Sequence, residues 1–170
     1  FRRVLFRSVA LGAGGKDAEP RDHNRDWAVT PHYPEVAAAQ RMIREIHARR
    51  GLDVFLDLHN PGADDPVFFF GPFGFDSMTG ARKRNYSRWL ELASTQILEP
   101  LKVQPRFKFA NYVQTEEERA RMSSSWAFAN TGETTVSLCL ETAWNSVIFT
   151  TEGYAKVGAS LARTLAAHLK

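Results

Sequence analysis

The chain has 170 residues, 44% of them hydrophobic, a formal net charge of +3 and one cysteine. That is core enough for one globular domain and too little for two comfortable ones. A single cysteine excludes an internal disulfide and a cysteine-rich zinc site, and no run of about 18 apolar residues is present to span a membrane.

In chain order, the first feature is FRRVLFRS, residues 1–8, which lacks an initiator Met. It reads like translated sequencing-adapter DNA, and we expect it to be foreign to the protein. Without Arg2, Arg3 and Arg7 the charge balance falls from +3 to 0, so the basic character implies no nucleic-acid partner. The glycine-rich LGAGGKDAEP leads into RDHNRDW, Arg21 to Trp27, an amide and a guanidinium set side by side among acids on a loop.

TPHYPEVAAAQRMIREIHARRG predicts a helix. Pro34 suits its first position, Glu35 its first turn and Gly51 its end, with Val36, Ala39, Ile43 and Ile46 on one apolar face. LDVFLDLHN predicts a strand, with Val54, Leu56 and Leu58 pointing one way and Phe55, Asp57 and His59 the other. PVFFFGPFG predicts a short strand and an aromatic loop, and residues 82–98 a helix with Tyr86, Trp89, Leu90, Ala93 and Ile97 in register. RFKFANYV predicts another strand, and QTEEERARMSSS a short helix running into a loop. TTVSLCLETAW predicts a strand with Val136, Leu138 and Leu140 on one face and Ser137, Cys139 and Glu141 on the other. A last helix follows Thr151, with Tyr154, Val157, Leu161 and Leu165 aligned. Strands and helices alternate, so the expected class is α/β: a mixed, mainly parallel sheet with helices on both faces.

Ligands collect beyond the carboxyl ends of strands in such sheets. Two predicted strands deliver His59 and Glu141 there. A guanidinium fork matches a carboxylate in a way an ammonium cannot, so Asn24 and Arg25 form a candidate anion grip. Asp22 and Asp26 either orient the arginine or face solvent.

DHNRDW, FLDLHN and LCLETAW, in that order, resemble the successive motifs of the M14 zinc carboxypeptidases, over residues 21 to about 145. The resemblance implies a truncated zinc-carboxypeptidase-like fold, with residues 9–170 a partial catalytic domain. It implies that His59 is a zinc ligand and Glu141 the general base. Asn24 and Arg25 would bind the free C-terminal carboxylate of a peptide or protein substrate. Clamping that terminus would place only the last peptide bond at the metal. Asp57, on the face of His59, either hydrogen-bonds the metal ligand or is paired elsewhere. The family implies a lean toward a secreted or periplasmic location.

The family's other two zinc ligands come from a His-x-x-Glu that precedes the Asn-Arg pair. The sequence HYPE, His32 to Glu35, follows that pair and is explained as a helix start, so it is not taken as the motif. The true one is expected upstream of residue 9, and no capping role is assigned to Tyr112. With one of its five histidines assigned to the metal, the chain is expected to bind zinc poorly and not to hydrolyse peptides. Two other readings stand beside the carboxypeptidase: a related zinc amide hydrolase or deacylase, and a non-catalytic module that binds peptide termini. Glu141 argues against the last, because binding alone needs no strand-end base.

Overall fold

The computed structural model describes residues 19–62, 68–72, 74–98, 101–109, 113 and 115–170. The expected adapter-derived residues 1–8, Tyr112 and parts of the aromatic loop lie outside them. The described residues form two compact units, one within Phe1–Leu52 and Asn111–Thr131, the other within Asp53–Ala110 and Gly132–Lys170. No helix among the described residues is long and apolar enough to cross a membrane.

The second unit carries the sheet. Strands β1 (Val54–His59), β2 (Phe69–Gly71) and β3 (Val136–Glu141) lie in the order β1-β3-β2. β1 runs parallel to β3 and β2 antiparallel, so the sheet is mixed. β3 is central, and Val136, Leu138 and Leu140 are fully buried on one of its faces while Ser137 and Cys139 are buried on the other. A strand enclosed on both faces reads as a near-continuous apolar run, as VSLCL does. Helices α2 (Gly80–Gln96) and α5 (Thr151–His168) pack on each other, and α2 packs on β3. Thr79 and Thr150 cap their first turns by accepting from the Arg82 and Gly153 N–H groups. The Tyr86 hydroxyl, in the core, donates to the Ser137 carbonyl at 3.0 Å and accepts from the Ser137 N–H at 2.8 Å.

In this unit two details differ from the sequence reading. The buried line of α5 is Val157, Ser160, Thr164 and His168, while Leu165 remains 39% exposed. At the end of this line the His168 ring meets the Trp89 ring of α2 edge to face at 5.5 Å. The strand expected over RFKFANYV does not form in its described part. The Gln104 and Lys108 N–H groups reach the carbonyls of Phe68 and Phe70. Four residues on one side therefore span two on the other, which a regular ladder cannot accommodate.

The first unit holds α1 (Pro34–Arg50), α3 (Glu116–Ala120) and α4 (Ser123–Asn130). Pro34 begins α1, and Gly51, at φ 78°, ends it with its N–H on the His47 carbonyl. Val36 and Ile43 are buried as expected; Gln40 is buried with them and donates to the Ala28 carbonyl at 3.0 Å. The Trp27 and Trp126 rings meet at 5.5 Å, with the Arg44 guanidinium 4.9 Å from the Trp126 ring. The segment expected to loop after the acidic run runs instead into the helix α4.

Candidate functional site

The parallel register pairs His59 with Glu141 and Asp57 with Cys139. Alternation then puts all four side chains on one face of the sheet at the carboxyl ends of β1 and β3. Beyond the last pair the chains stay joined. The Thr142 N–H and hydroxyl bind the His59 carbonyl at 2.8 and 3.0 Å. The Asn60 amide donates to the Thr142 carbonyl at 2.7 Å and the Trp144 indole to the Pro61 carbonyl at 3.0 Å. These are the residues that follow the strands in FLDLHN and LCLETAW, and they fix the rim on which His59 and Glu141 sit.

Within that face, Asp57 Oδ2 lies 3.1 Å from His59 Nε2. Of the two alternatives for Asp57, it takes the one that holds the imidazole. A carboxylate on one ring nitrogen sets the tautomer and the orientation of the ring. Cys139 Sγ lies 3.5 Å from Glu141 Oε1. Burial, and then the Glu141 and Asp57 carboxylates, push its thiol well above the ordinary range. One donor atom each from His59, Cys139 and Glu141 lies within 4.8 Å of the others. Nitrogen, sulfur and oxygen in one group suit a borderline-soft divalent cation such as zinc. Sequence reasoning passed over Cys139, although the alternation that placed it beside Glu141 was readable.

Asn24 and Arg25 lie in the first unit, in a short 3-10 turn, His23–Arg25. Asp22 starts the turn by accepting from the Asn24 N–H at 2.8 Å. Asp26 is fully buried and accepts from the N–H groups of His32 and Tyr33 at 3.1 and 2.8 Å, with Arg21 at 3.7 Å. It ties the turn to the start of α1. The carboxylate on the Arg25 guanidinium is Glu118, 3.2 Å from Nε, while Nη1 donates to the Asn24 carbonyl at 3.0 Å. Asn24 Oδ1 accepts from the Ser123 N–H at 2.8 Å, at the first turn of α4. That bond fixes which way the amide NH2 group is presented.

Sequence reasoning paired neither Glu118 with Arg25 nor Ser123 with Asn24; each lies more than 90 positions from its partner. In HYPE, Glu35 is engaged by His23 at 2.9 Å, whose ring stacks on Tyr33 at 3.9 Å, so that acid serves the turn.

No family model and no curated protein matches the sequence. Solved structures do. The chain superposes on a metallo-carboxypeptidase from Burkholderia cenocepacia with a TM-score of 0.68 at 21% identity, covering 93% of this chain and 40% of that one. On a putative carboxypeptidase from Burkholderia mallei the TM-score is 0.71 at 19% identity, covering 92% and 41%. On a metallo-carboxypeptidase from Pseudomonas aeruginosa in complex with (2-guanidinoethylmercapto)succinic acid it is 0.65 at 18% identity, covering 93% and 42%. The chain spans about two fifths of each and has the fold of that part.

Proposed function

We propose that this chain carries the proton-handling and carboxylate-binding parts of a zinc metallocarboxypeptidase that removes the C-terminal residue of peptides. The observation that carries this reading is the pairing of His59 with Glu141 at the carboxyl ends of two parallel strands, in a fold shared with metallo-carboxypeptidase structures. His59 would hold the metal, with Asp57 fixing its ring. When bound, zinc polarises the scissile carbonyl and lowers the pKa of its water to about 7.

The chain's own residues account for the other roles. Glu141 accepts the proton of the attacking water and returns it to the departing amine, a contribution of roughly 10²- to 10⁴-fold. Arg25 and the Asn24 amide receive the terminal carboxylate. The Nε edge of Arg25 is already committed to Glu118, which aims the rest of the fork. An amide beside the guanidinium adds a donor without adding charge.

The carboxylate grip is tested by calorimetric binding of a peptide with a free C-terminus against its C-terminal amide. The free acid is expected to bind at least about tenfold tighter, as one charge-assisted pair supplies, and Arg25→Gln to abolish the preference. Equal binding of the two peptides overturns the grip. Hydrolysis is assayed on the full-length gene product with the same pair.

A further inference from the structure

We propose that Cys139 is a metal ligand, so that His59, Cys139 and Glu141 by themselves hold one zinc-like cation. The inference rests on the reading above only in placing a metal at His59. The expectation of weak zinc binding rested on His59 alone, the one imidazole at these strand ends. The structure adds a sulfur and an oxygen to it, all three donors within 4.8 Å of one another.

Tetrahedral zinc with bonds of about 2.0–2.3 Å needs donors roughly 3.3–3.8 Å apart. Cys139 Sγ and Glu141 Oε1 already stand at 3.5 Å. The remaining closure is small enough for side-chain rotation, because the parallel register fixes the backbones from which all three project. The charges balance: one thiolate and one carboxylate offset a divalent cation, and the thiol proton passes to solvent on binding. Asp57 Oδ2, 3.1 Å from His59 Nε2, supplies the carboxylate–imidazole hold that metal-binding histidines use. Three protein donors leave one position of a four-coordinate zinc open. A cation held this way also occupies the Glu141 carboxylate that the proposed reaction needs as a base. The cation-loaded chain is therefore a holding state, unable to move the proton.

Cobalt(II) titration of the 170-residue chain decides it. Cys139 is the only cysteine, so a thiolate-to-cobalt charge-transfer band can arise from no other residue. The expected result is that band, saturating at one equivalent and displaced by zinc. Cys139→Ser loses the band and binds zinc at least tenfold more weakly, and His59→Gln weakens binding by a similar factor. Absence of the band in the unaltered chain overturns the proposal, whether or not a variant folds. Zinc binding that is unchanged in Cys139→Ser overturns it too, while leaving the carboxypeptidase reading of His59 intact. Failure of that reading shows separately, as equal binding of free and amidated peptides by the metal-free chain.

Discussion

At the sheet end, His59 and Glu141 are placed by backbone: a parallel ladder, closed beyond its last pair by Thr142, Asn60 and Trp144. In the turn, Asn24 and Arg25 are placed by side chains: Asp22, Asp26, Glu118 and the capping bond to Ser123. Each site therefore tolerates alteration at different places. A ladder moves only if the core moves, so the strand-end pair shares the stability of its unit. A turn held by separate hydrogen bonds can lose one and keep its fold.

Substitutions at three positions separate the two kinds of support. The largest effect is expected at Leu138, fully buried on β3 between the two flanking strands. Leu138→Ala should cost about 2–5 kcal/mol in urea unfolding, by lost burial and a residual cavity. It should also disturb the His59 imidazole resonances. A loss well under 1 kcal/mol would mean that the ladder does not depend on this core.

Next comes Asp26, fully buried, with two backbone donors and Arg21 on its carboxylate. Asp26→Ala orphans those donors and should cost about 2–3 kcal/mol. Carboxylate binding at Arg25 should be lost, while the cobalt spectrum at His59 is retained. Loss of both together would deny the two sites their separate supports.

The smallest effect on stability is expected at Glu118, whose side chain is 41% exposed. Removing an exposed ion pair costs about 0–1 kcal/mol. The binding readout separates its two roles. Glu118→Gln keeps an acceptor for Arg25 Nε and removes a negative charge, so a terminal carboxylate should bind roughly threefold tighter. Glu118→Ala loses the acceptor and should bind it more weakly. Equal shifts in the two variants would remove any orienting role for this carboxylate.

Local pattern made much of the molecule legible. Alternation in VFLDLH and VSLCLE assigned their faces, and the start and end of α1 follow from Pro34 and Gly51. Apolar periodicity misplaces the buried face of α5, because the buried line there takes in Ser160 and Thr164 rather than Leu165. Asp22 and Asp26 were readable as neighbours of Arg25 but not as supports of the turn, since their partners are backbone N–H groups that become available only once the turn closes.

By itself, then, the sequence determined which residue types stand at the strand ends and which face each takes, because a strand's period is a covalent property of the extended chain. Tertiary structure alone decided that His59 lies opposite Glu141, that Cys139 joins them, and that Glu118 comes back to Arg25. Those meetings join segments up to 93 positions apart. What fixes them is the burial of β3 and the hydrogen bonds of two folded units, which no local spacing encodes.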